Sequence, residues 1–231
     1  MNKFKLSYVL GFIPSTLVYL LCGFVCGAIF GFTLFYFDKN LYQAILETWF
    51  KRILFGATLL QNNYTLWFIA NNLVALTFAI VGFVLLLILI SRRRRFTSNR
   101  FVAFEKHHPK VTLASLYMIP IGAVFINSFL ISILLTCAYL NEGFQKLMLI
   151  FVGIFPNGIN EILALVFASS LALSYLEIIK PLILKNKMKE AIKVGKQLIF
   201  SKTSFYIFIF IIILIVFAAY LEGSAISLLT K

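Results

Sequence analysis

Acidic charge is scarce in this chain: 231 residues carry eight Asp and Glu against 21 Lys and Arg. Histidine is scarcer still. His107 and His108 are adjacent, would point apart on a helix, and have no companion ligands, so a metal site is not expected. The three cysteines, Cys22, Cys26 and Cys137, all fall in apolar helical stretches. That supports neither a disulfide framework nor a thiolate metal site. Cys22 and Cys26 share a helix face, but buried cysteine usually acts as a small hydrophobe. The apolar stretches hold no Ser/His pair, and there is no Gly-rich phosphate loop. Asp38 is the one aspartate, so no two-aspartate arrangement exists. An intramembrane enzyme is therefore not expected, and no cofactor is called for.

Apolar residues dominate instead. Hydrophobic residues make up 61% of the chain, and the mean hydropathy is +0.98. A soluble domain of this size cannot hide so much apolar surface. Several runs exceed the roughly 20 residues that cross a bilayer. A β-barrel is excluded, because its strands would alternate with period two. The expected fold is an all-α polytopic membrane protein. It comprises about five transmembrane helices, a broken or half helix, and amphipathic surface helices, in one transmembrane domain over 1–231.

The spans are expected at about 8–37, 66–90, 111–140, 159–179 and 205–221. The first follows Met1-Asn2-Lys3-Phe4-Lys5 and is too long for a signal peptide, so it reads as an uncleaved span. Gly23, Gly27 and Gly31 recur every four residues along it, a stripe that lets another helix approach closely. Pro14 is expected to kink its first turns. A surface helix at about 39–60, with Trp49 as anchor, or a re-entrant hairpin, follows. A second surface helix at about 185–199 carries Lys185, Lys187, Lys189, Lys193 and Lys196. It reads as a basic helix on anionic lipid, or as a solvated loop.

The most unusual stretch is Pro156-Asn157-Gly158-Ile159-Asn160-Glu161, set in an apolar run. Backbone in hydrocarbon must hydrogen-bond internally, so such a break is tolerated only against protein or water. The expected arrangement is a half-helix over 147–155, a break at Pro156 and Gly158, and a full span from Ile159. Asn157, Asn160 and Glu161 share one face at i, i+3 and i+4. An ionisable residue at this depth is either a structural polar contact or a substrate or ion site.

Sixteen of the 21 Lys and Arg lie at the N-terminus, in 91–110 and in 180–202. The positive-inside rule puts these segments in the cytoplasm, with the C-terminus outside a multi-pass plasma-membrane protein. The same placement argues against nucleic acid as a partner, since the basic segments are juxtamembrane and lack a binding fold. At about 1.5 Å per residue, Glu161 and Glu222 reach similar heights in the outer half, and Asn71 lies within reach. Asn127 is nearer the midplane. Together they form the candidate binding set, a cluster suited to sharing protons or binding a cation.

Pro156-Asn157-Gly158-Ile159-Asn160-Glu161-Ile162-Leu163-Ala164 resembles the Pro-His-Gly-x-x-Glu-x-x-Ala signature of the stage II sporulation protein M family. Asn157 replaces the histidine, so no imidazole stands there. Phe68-Ile69-Ala70-Asn71-Asn72 leading to Gly82, Asn127-Ser128, and Ala218-Ala219-Tyr220-Leu221-Glu222 follow in the family's order. The resemblance covers most of the chain from Leu66 onward. It implies a membrane-complex component, in a family whose namesake acts in remodelling septal membrane and cell wall.

Two functions are expected from these readings. One is a non-enzymatic subunit that assembles with itself or other membrane proteins and organises or remodels the bilayer. The other is a permease or transporter subunit, alone or with a cytoplasmic ATPase, using Glu161 and Glu222 for a cation, proton or small polar substrate.

Overall fold

The computed structural model describes the backbone of residues 4–38, 64–96 and 107–229, with scattered positions between 40 and 51. The elements are α1 (Leu6–Phe37), α2 (Tyr64–Phe96), α3 (Pro109–Leu184), α4 (Met188–Ile199) and α5 (Lys202–Leu229). No strand occurs among the described residues. Five stretches are long and apolar enough to cross a membrane: Leu6–Phe37, Ile69–Arg93, Pro109–Asn141, Gly158–Leu184 and Lys202–Leu221. The protein is an all-α polytopic membrane protein.

Local chemistry explains the element ends. Pro109 opens α3 at a position where its missing N–H costs nothing. Ser201 caps α5 by accepting from the Ser204 N–H at 3.2 Å. Asp38, just beyond α1, accepts from the Leu41 N–H at 2.9 Å. Between α3 and α4 the chain turns through Asn186 at φ 55°, a conformation asparagine tolerates better than most residues.

α3 differs from expectation in where its backbone departs from the helix. The non-helical residue is Gly143, at φ 79° and ψ 178°. Only glycine adopts this left-handed conformation without strain. The segment 147–155 is not a separate half-helix, since helical backbone continues from it through Pro156 and Gly158. A proline inside a membrane helix removes one hydrogen bond, which neighbouring groups can make good, so it does not have to end the helix.

The chain divides into two compact units, each drawing on the long helices. Unit 1 comprises Met1–Leu17, Ala75–Ala123 and Leu165–Ile211. Its core holds Ile80, Phe83, Leu87, Leu116, Leu171, Tyr175, Ile179 and Ile183, all fully buried. α4 docks on this core through Met188, Ala191, Gly195 and Leu198. Gly195 fits because a Cβ there would already lie 3.2 Å from Val84 Cγ2. The apolar face of α4 is therefore occupied by protein, and its lysines stay exposed. The other expected surface helix, 39–60 with Trp49, lies largely outside the described residues.

Unit 2 comprises Val18–Val74, Val124–Ala164 and Ile212–Lys231. The glycine stripe organises it. Gly23 meets Phe125 and Ser128, Gly27 meets Phe129, and Gly31 meets Ile133 and Thr136. The register advances by about four residues on both helices, as it must where two helices pack along facing stripes. A Cβ on Gly27 would lie 2.9 Å from Phe129 Cα, so the two backbones are in direct contact. Cys137 is buried beside Ile133, against Leu34, Phe35 and Phe129, while Cys22 and Cys26 are exposed.

Candidate functional site

Glu161 and Asn72 meet in unit 2. Asn72 sits two turns into α2, and Glu161 one turn beyond Gly158 on α3. The Asn72 amide donates a hydrogen bond through Nδ2 to Glu161 Oε1. Neither side chain is fully buried. An amide facing a carboxylate is the simplest way to satisfy an acid inside an apolar bundle, because the alternative is a polar group in hydrocarbon.

The rest of the expected cluster distributes differently. Asn71 points to the exposed face of α2, and its neighbour Asn72 makes the contact instead. Residues 71 and 72 are about 100° apart on a helix, so only one of the two amides can face α3. Asn127 also lies on an exposed face. Asn160 is half-buried beside Glu161. Pro156, Asn157 and Glu222 lie on helical backbone, but their side chains fall outside the described residues. Glu161 is thus met by Asn72 rather than by Asn71.

A cleft of about 580 Å³ opens elsewhere in unit 2. Phe24, Ala28 and Phe32 form one wall and Phe144, Leu147 and Met148 another. Ser132, Thr136 and Tyr139 contribute the hydroxyls between them. Neither Glu161 nor Asn72 lines it, so this cleft and the membrane carboxylate do not coincide. No cluster of three or more His, Cys, Asp or Glu suited to a metal occurs among the described residues.

Unit 1 carries polar contacts that the sequence reading passed over. Thr16 and Ser170 hydroxyls pair at 2.9 Å, joining α1 to α3. Tyr175 donates to Ser204 Oγ, which donates to the Leu198 carbonyl at 2.6 Å. The Tyr117 hydroxyl donates to Glu177, and Lys180 reaches the same carboxylate at 3.1 Å. The signal available was Ala168-Ser169-Ser170 with Ser174, small polar residues on the most buried of the five candidate spans. Ser169 Oγ is buried without a hydrogen-bond partner. Comparison with protein-family models, with curated proteins and with solved structures finds no match to the chain.

Proposed function

We propose that this protein is a non-enzymatic subunit of a membrane complex that organises or remodels the bilayer, in the manner implied by its resemblance to the stage II sporulation protein M family. The observation that carries this reading is the engagement of Glu161 by Asn72. The carboxylate ties two helices together and stands apart from the large cleft. The backbone contacts along Gly23, Gly27 and Gly31 support it, since they favour a rigid packed bundle. The proposed setting is the plasma membrane, with the N-terminus in the cytoplasm and the C-terminus outside.

The test is purification of the tagged protein from native membranes in mild detergent, with co-purifying proteins quantified. Stoichiometric recovery with envelope or membrane-organising proteins supports the proposal. Stoichiometric recovery of a cytoplasmic ATPase overturns it.

One observation favours a permease as the second reading. A carboxylate accepts several hydrogen bonds, and one amide does not exhaust that capacity. A cation or proton would complete the set. Flux across liposomes that disappears in Glu161→Gln, with the fold retained, would select this reading over the first.

A further inference from the structure

The apolar runs of unit 1 are longer than a bilayer needs, and local contacts show on which side the surplus lies. The first turns of α1 and α5 share one level with α2 and α3. Thr203 donates to the Phe4 carbonyl at 2.8 Å. The Phe4 and Phe83 rings lie 5.3 Å and 5.9 Å from the Tyr175 ring, and Tyr175 donates to Ser204. Gly82 faces Ile119 next to this level. Lys5 and Lys202 stand immediately before the apolar stretches of α1 and α5, as charges at a span end do. Past this level α2 continues to Phe96 and α3 to Leu184, while α3 begins back at Pro109.

α4 runs beside these extensions. Its far end is fixed by the Lys187 N–H donating to the Leu182 carbonyl at 2.8 Å. Its near end is fixed by Ser204 bonding the Leu198 carbonyl, and Gly195 lies against Phe83 and Val84. Along α3, Tyr175 to Leu182 rises about 10 Å, and Met188 to Leu198 covers about 15 Å in return. α4 is therefore an antiparallel neighbour of the end of α3, standing along it. Its Lys189, Lys193 and Lys196 are exposed, on a helix that packs on Phe83 and Val84 and is tied to Leu182. Exposed lysines are disfavoured in hydrocarbon, so the apolar residues behind them lie outside it too. From Tyr64 to Phe83, α2 spans about 30 Å, the thickness of a bilayer core.

We infer that the bilayer ends, on its lysine-rich side, at the level of Phe4, Phe83, Tyr175 and Ser204. The helix ends beyond it and α4 form an extramembrane four-helix module in the aqueous phase. This holds whichever function is correct. Val84, Leu87 and Ile90 of α2 are buried, as are Leu116, Ile183 and Leu198, and on this placement they supply the module's core. Lys189 stands about 14 Å along α4 from Leu198, beyond the ~8 Å over which a charged leaflet acts at physiological salt. Lys196 lies within that distance, so α4 meets the leaflet at its Leu198 end and stands away from it at Lys189.

The full-length protein in lipid nanodiscs tests this, on a background with the three native cysteines replaced. Leu85 and Leu89 are 51% and 62% exposed, so a cysteine at either position leaves the core intact. Leu85→Cys and Leu89→Cys are expected to react with a membrane-impermeant maleimide as fast as Lys196→Cys. Phe78→Cys and Ile209→Cys are expected to react only after denaturation. Protection of Leu85→Cys and Leu89→Cys to the level of Phe78→Cys overturns the boundary. A fluorophore at Lys189→Cys is expected to be quenched less by headgroup-labelled lipid than one at Lys196→Cys. Equal quenching at both positions overturns the upright α4.

Discussion

Gly27, like Gly23, sits in unit 2 where the facing helix leaves no room for a Cβ. Its Cα faces the Phe129 backbone with no space for a methyl group. Gly27→Leu should force the helices apart and lower stability by about 1–3 kcal/mol or more. A fall in detergent melting temperature would show it, whereas Gly11→Ala, with nothing within 4 Å, should leave the melt unchanged. In unit 1, Tyr175→Phe removes the donor to Ser204 but keeps the ring between Phe4 and Phe83. A loss of about 1 kcal/mol is expected, because Ser204 keeps its bond to the Leu198 carbonyl. Tyr175→Ala, which also empties the ring's place in the core, should cost about 3–5 kcal/mol, as large aromatic truncations do. The difference between the two melts checks that packing outweighs the hydroxyl. The stripe at 23, 27 and 31 was legible in the sequence because a four-residue spacing of glycine has few other causes in an apolar helix. The choice between Asn71 and Asn72 was not legible. Adjacent residues differ by about 100° in direction, and hydropathy does not set the rotation of a helix that is apolar all round.

At the scale of the element, span positions followed from apolar length. Leu6–Phe37 and Lys202–Leu221 lie close to the expected 8–37 and 205–221. Backbone breaks followed less well. Pro156 and Gly158 are stronger breaking signals than Gly143, yet the left-handed residue is Gly143. A glycine after a polar Asn-Glu turn meets water, where a break leaves no unsatisfied groups. A proline within an apolar stretch can stay helical where neighbouring groups make good its missing hydrogen bond. The character of α4 was half legible. Its lysines and its apolar period mark an amphipathic helix, but no pattern says whether lipid or protein covers the apolar face. Gly195 held the answer, since a glycine in the middle of that face is of little use against lipid and necessary against Val84. Gly195→Leu should lift α4 from Phe83 and Val84. Faster proteolysis of the 185–201 segment in the folded protein is the expected readout, with Lys193→Leu, on the exposed face, as the unaffected control.

For the whole molecule, function rests on what the membrane carboxylate does. Composition and hydropathy settle the class of protein, because no soluble packing accommodates five such apolar helices. They do not tell whether an acid in a span holds the bundle together or handles a ligand, since both uses select the same residue in the same place. The two uses differ in the partner they call for. A structural acid is answered by protein groups, and the group answering Glu161 is Asn72. The two chemistries also respond differently to a neutral replacement. Glu161→Gln keeps an acceptor for Asn72 and should retain most of the stability, while Glu161→Leu leaves the amide unanswered and should lose about 1–3 kcal/mol.

The most direct test of this structural role is a double-mutant cycle at the pair. Melting of the wild type, Asn72→Ala, Glu161→Leu and the double variant would be measured in one detergent. If the two side chains hold each other, the effects are non-additive, with a coupling of about 0.5–2 kcal/mol. Additive effects, together with flux that depends on Glu161, would contradict the account and place the carboxylate in a transport pathway.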